Sequence, residues 1–119
     1  MYRDIWLGGA RFQGGEVIFH NNQPVWGMVY SGGIIPSELG HRLMVRPSEE
    51  QVYQFLRKAL MVQANSARFG WDVVLYKKGE WSYLDSGENE ASFFEGQESI
   101  TFRGELIYSL HYSGGLIEG

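Results

Sequence analysis

A chain of 119 residues is the size of one domain and encloses one hydrophobic core. Apolar residues make up 44% of it and aromatics 15%, which excludes a disordered chain; a formal net charge of −4 with ten dispersed basic residues argues against nucleic-acid binding, which needs a clustered cationic face. With no cysteine, disulfide frameworks, thiolate nucleophiles and cysteine-ligated zinc are excluded as well. Sixteen glycines beside many aromatics, with only three prolines, point to a β-rich chain with tight turns. No apolar run approaches the length of a membrane span, and MYRDIWLGG lacks the build of a signal peptide, so a cytoplasmic location is the default.

In chain order, Tyr2 to Leu7 is a short strand ending at Gly8-Gly9. Glu16 to His20 and Val25 to Tyr30 flank Asn21-Asn22 and predict a hairpin. Pro36 to Arg46 reads as a loop with one helical turn. Pro47-Ser48-Glu49-Glu50-Gln51 is a helix start, with Ser48 as N-cap and Gln51 completing a capping box. Behind it Val52, Phe55, Leu56, Ala59, Leu60 and Gln63-Ala64 follow one helical face, so a helix from about Glu49 to Ala67 is predicted. Its polar side, with Gln54, Arg57, Lys58 and Asn65, faces water. Trp71 to Tyr76 and Glu80 to Leu84 bracket Lys77-Lys78-Gly79 as another hairpin. Asp85 to Glu90 reads as a solvated acidic turn whose spacing does not match a calcium loop. Ala91 to Glu95 adds a strand, and Glu98 to Phe102 with Ile107 to Tyr112 flank Arg103-Gly104 as the last hairpin.

The chain contains itself twice. Residues Phe12 to Ile35 align without a gap on Phe94 to Ile117 at an offset of 82, with nine of 24 positions identical. Composition alone gives about one or two matches. The identities include Gly14/Gly96, Glu16/Glu98, Ile18/Ile100 and the twin Tyr-Ser-Gly-Gly runs Tyr30 to Gly33 and Tyr112 to Gly115. The simplest architecture that respects this is α+β: one domain over residues 1–119, a curved antiparallel sheet holding two pseudo-symmetric hairpins, and one helix packed on it.

Alternation places Trp26, Met28 and Tyr30 on one face, with Tyr108, Leu110 and Tyr112 on the matching face of the second copy. With an even turn, Glu16 and Ile18 share the opposite side with Val25, Gly27 and Val29, and Glu98 and Ile100 share it with Ile107, Ser109 and His111. Symmetry then offers Glu16 and Glu98 as a carboxylate pair for general-acid work, against the plainer reading that each bonds turn amides or pairs with an arginine. Glu98, Ser109 and His111 have the residue types of an acid, nucleophile and base, although Gly27 and Val29 replace the last two in the first copy and no nucleophile elbow surrounds Ser109. The double glycines either let backbone amides approach a ligand or end and bend the strands. Four Trp, seven Tyr and seven Phe exceed what a small core needs, so some line a groove or interface, or else pack both sheet faces. His20, His41 and His111 are too scattered to indicate a metal, and no cofactor motif is present.

Tyr2-x-Asp4, Leu7-Gly8-Gly9, Arg11-Phe12-x-Gly14, Glu16 and Pro24-Val25-Trp26-x-Met28-x-Tyr30-Ser31-Gly32, followed by Trp81-x-Tyr83, Phe94-x-Gly96-x-Glu98 and Tyr108 to Gly115, carry a likeness. Together they resemble a bacterial domain family of unknown function that occurs alone or behind an XRE-type helix-turn-helix. The resemblance spans nearly the whole chain. It implies an accessory or sensory module of regulators, with no established activity and no catalytic residues to carry over. The sequence has no helix-turn-helix, so DNA binding is not implied.

The leading expectation is a non-enzymatic module that recognises a small ligand or a protein partner through an aromatic-lined surface. Glu16, Trp26, Tyr30, Glu98, Tyr108 and Tyr112 are its candidate ligand-binding residues. The alternatives are a hydrolase-like enzyme using Glu16 with Glu98, or Glu98 with Ser109 and His111, and a homodimeric interaction protein.

Overall fold

The computed structural model describes residues 1–36, 46–65, 73–89 and 92–117. Seven strands and one helix follow in chain order: β1 (Tyr2–Gly8), β2 (Arg11–His20), β3 (Gln23–Ile34), α1 (Glu49–Asn65), β4 (Val73–Lys78), β5 (Trp81–Asn89), β6 (Phe93–Phe102) and β7 (Glu105–Leu116). The expected loop at Pro36 to Arg46 falls almost wholly outside the described residues, as do Ser66 to Asp72, which include the end of the predicted helix. Strands are longer than the sequence predicts because they run through their glycines: Gly14, Gly15, Gly32, Gly33, Gly96, Gly114 and Gly115 all lie inside strands. Asp85 to Asn89 likewise belongs to β5 and not to a solvated turn, and Asp85 is buried.

All strands pair antiparallel in one sheet of order β1-β2-β3-β7-β6-β5-β4. The β2–β3 and β6–β7 hairpins, on either side of the central β3–β7 pairing, close on tight turns. Asn21 and Asn22 have φ of 51° and 62°, and Arg103 and Gly104 have 51° and 79°. Positive φ at both central positions marks the type I′ turn, whose twist matches that of a hairpin.

Each of these hairpins then carries one extra residue. Pairing runs Phe19↔Pro24 and next Ile18↔Trp26, leaving Val25 over; it runs Thr101↔Leu106 and next Ile100↔Tyr108, leaving Ile107 over. The bulge corrects the facing expected from an even turn. Because side chains alternate with period two, a shift of one residue reverses the face of everything beyond it. Glu16 and Ile18 therefore share a face with Trp26, Met28 and Tyr30, and Glu98 and Ile100 share that same face with Tyr108, Leu110 and Tyr112. Ser109 and His111 lie on the other face.

Helix α1 starts as its sequence dictates. The Ser48 amide donates to Gln51 Oε1 at 2.8 Å and the Gln51 amide donates to Ser48 Oγ at 3.1 Å, the reciprocal pair of a capping box. Val52, Phe55, Leu56 and Ala59 are buried against Tyr83, Ile100, Ile107, Tyr108 and Leu110, which form the core. Phe55 stacks on Trp81 and Tyr76 with ring centroids 5.0 and 5.6 Å apart. Leu60, expected in the buried stripe, is instead exposed. Among the described residues the helix lies over the half of the sheet built from β4–β7, reaching the β1–β2 turn where the Tyr53 phenol donates to the Ala10 carbonyl at 3.0 Å. The molecule is accordingly elongated, 53 × 28 × 20 Å, with a radius of gyration of 15.7 Å, against about 13.5 Å for a compact chain of this length.

Candidate functional site

Two parts of the sheet concentrate polar chemistry, one beneath the helix and one on the face away from it. Beneath the helix, β5 and β6 set Asp85 directly opposite Glu98. Both carboxylates are buried. The Tyr83 phenol donates to one oxygen of Glu98 at 2.7 Å and the Tyr108 phenol to the other at 2.8 Å. Tyr112 donates to Asp85 Oδ1 at 2.6 Å. Burial pushes the Glu98 carboxyl up from its ordinary value; the two phenol bonds pull it back and the nearby Asp85 charge adds to the rise. Burial, with the carboxylates next to them, also raises Tyr83, Tyr108 and Tyr112, so these phenols stay protonated and act as donors. Both Glu98 oxygens are engaged in a site roofed by α1, which makes the cluster a cross-link between strands.

Glycine makes the Tyr112 bond geometrically feasible. Tyr112 pairs with Gly96 and its ring crosses that glycine to reach Asp85 on the strand beyond; a Cβ at Gly96 would run into the phenol. The first half repeats the device: Tyr30 pairs with Gly14, crosses it, and donates to Asp4 Oδ1 at 3.2 Å. Burial and this bond raise the Tyr30 phenol to about 12. Asp4 stands opposite Glu16 as Asp85 stands opposite Glu98, and burial with the Glu16 and Asp4 carboxylates nearby raises the Tyr2 phenol.

These positions account for the residues predicted from sequence. Glu16, Trp26, Tyr30, Glu98, Tyr108 and Tyr112 all lie on the face that carries the helix, with Glu98 and Tyr108 bonded to each other inside the core. Trp26 stacks on Phe94 at 5.6 Å. Glu16 and Glu98 do not meet: they stand three strand positions apart and four residues out of register, roughly 20 Å at the usual spacings. Each pairs instead with its own aspartate. The group Glu98, Ser109 and His111 is split by the sheet, because the bulge at Ile107 turns Glu98 away from the other two.

The opposite face is concave and open. It holds a groove of about 1050 Å³ running across the strands. Registers align Gln13, Ser31, His111, Gln97 and Ser86 in one row over β2, β3, β7, β6 and β5. Four strand spacings make that row roughly 19 Å long. The Gln97 amide donates to Ser109 Oγ at 3.1 Å. Ile5, Leu7, Val17 and Val29 supply the apolar wall, and Glu95 is the carboxylate among the lining residues. A smaller hollow of about 520 Å³ adjoins it at Leu7, Gln13, Ser31 and His111 and brings in Arg11, whose guanidinium donates to the Ile34 carbonyl at 3.1 Å. Of this row the sequence singled out His111 alone. The signal for the others was the polar alternation Glu95, Gln97, Ser99 and Thr101 in β6 and Arg11-x-Gln13 at the start of β2, which aligns across the sheet only once the bulges fix the register.

A family model described as "Domain of unknown function (DUF5680)" matches residues 4–117. No curated protein and no solved structure matches the chain.

Proposed function

The chain belongs to the DUF5680 family, and from that premise we propose that it is a non-enzymatic binding module whose ligand lies in the concave face of the sheet. The observation that carries this reading is the row Gln13, Ser31, His111, Gln97 and Ser86 along the groove. Amide and hydroxyl groups at regular strand spacing recognise a molecule that is itself elongated and bears hydroxyl or amide groups along its length. The apolar wall of Ile5, Leu7 and Val29 takes its non-polar edge. Lysine and arginine are missing from the described lining of the main groove, and Glu95 is present, so the ligand is uncharged over most of its length.

The pairings Trp26↔Leu116, Tyr30↔Tyr112 and Ile34↔Tyr108 support a twofold relation between the two hairpins, with its axis between Tyr30 and Tyr112. On that reading the duplication made the groove by joining two like halves across β3 and β7. A sensory or accessory role in a regulator suits a domain that offers one open groove on a rigid sheet.

The test is a thermal-shift screen of neutral oligosaccharides and end-blocked peptides, followed by titration of the hits. A hit at a hundredfold excess over its Kd stabilises the fold by about 2.7 kcal/mol. Gln97→Ala and His111→Ala remove that gain while leaving the melting temperature of the free protein nearly unchanged. Hits insensitive to both substitutions, or hits confined to charged compounds, refute the assignment.

A further inference from the structure

Among the described residues the helix lies over β4–β7, and the other half of the sheet, β1–β3, carries the same arrangement. Under α1, Tyr83, Ile100 and Tyr108 form one cross-strand row and Asp85, Glu98 and Leu110 the next. On β1–β3, Tyr2, Ile18 and Trp26 form the matching row and Asp4, Glu16 and Met28 the one after it, all on the same face of the sheet. The burial differs completely. Tyr83, Ile100 and Tyr108 are each 0% exposed, whereas in the matching row Tyr2 is 57% and Ile18 41% exposed with Trp26 half-buried, and the neighbouring Trp6 is 53% exposed. We propose that the helix-side face of β1–β3 docks an amphipathic helix from another polypeptide, seated as α1 is seated on β5–β7.

Residue differences between the halves specify that helix further. Glu98 receives phenols from Tyr83 and Tyr108, but the place of Tyr108 at Glu16 is taken by Trp26, whose ring is stacked on Phe94. Glu16 therefore lacks the counterpart of the second phenol, and with Asp4 opposite it the surface is acidic. A docked helix needs apolar residues at i, i+3, i+4 and i+7 to cover Tyr2, Ile18 and Trp6, and a lysine or arginine to meet the carboxylates. A second copy placed face to face is disfavoured, because it brings two more carboxylates against Asp4 and Glu16. The helix α1 of any copy is already committed to its own β4–β7 core.

The test uses the full chain, labelled with nitrogen-15, and a synthetic peptide spanning Pro47 to Val62, whose apolar stripe fits the equivalent surface. Amide shifts at Tyr2, Ile18 and Trp26 are expected. Ile18→Asp and Tyr2→Ala, both at exposed positions, weaken binding by roughly tenfold or more, while Leu75→Asp on the opposite face of β4 leaves it unchanged. Shifts confined to Ile100 and Tyr108 show the peptide exchanging with α1 and overturn the proposal, as does a peptide that leaves the spectrum unmoved. A concentration-dependent dimer lost on Ile18→Asp assigns the face to a second copy and also overturns it.

Discussion

Replacing Glu98 by glutamine changes how stability depends on pH, and the structure gives the sign. Glu98 is 7% exposed and accepts phenols at 2.7 and 2.8 Å. Burial raises its carboxyl above the ordinary 4.5, assisted by Asp85 and opposed by the two phenols. A carboxyl raised by folding holds its proton longer in the folded state than in the unfolded one. Its contribution is therefore complete below the unfolded value and is lost as pH rises through the folded value, with a slope of up to about 1.4 kcal/mol per pH unit. Glutamine has the shape of the protonated acid and does not titrate; it keeps one acceptor for one phenol and costs about 1 kcal/mol for the bond it makes poorly. At about pH 4 the Glu98→Gln variant is thus slightly less stable than the wild type, and the difference swings toward the variant by about pH 8. Urea denaturation at several pH values, compared as differences so that all other groups cancel, reads this directly. A constant difference, or one that swings toward the wild type with rising pH, refutes the dominance of burial over the phenol bonds.

Two further substitutions test the local geometry. Gly96→Ala drives a methyl into the Tyr112 phenol and the Ser86 carbonyl and destabilises by about 3 kcal/mol, read as a lowered urea midpoint at unchanged slope. Ser48→Ala removes the Oγ that accepts from the Gln51 amide, leaves the Ser48 amide free to donate to Gln51 Oε1, and costs about 1 kcal/mol, lowering Tm by roughly 4 °C.

Much of the fold was legible because it rests on local rules. The capping box at Ser48 and Gln51, the helical spacing of Val52, Phe55, Leu56 and Ala59, and the turns at Asn21-Asn22 and Arg103-Gly104 each follow from neighbours within a few residues, and each is found where the sequence puts it. The candidate site was less legible. The glutamates were identified as matched positions, yet their partners, Asp4 and Asp85, were not, because each stands on the preceding strand and comes opposite its glutamate only through the register of that pair, which no local signal fixes. Leu60 follows the helical period but lies beyond the part of α1 that the sheet covers.

By itself the sequence determined where the strands lie, the helix and its start, and the turns, since propensity, capping and period are properties of short segments. Tertiary structure alone decided which face each strand presents and which half of the sheet is covered. One extra residue at Val25 and one at Ile107 reverse every side chain beyond them. Those bulges bury Glu98 beneath α1 and leave Ser109 and His111 on the open groove. A single helix laid over two similar halves then makes one a core and leaves the other an exposed surface.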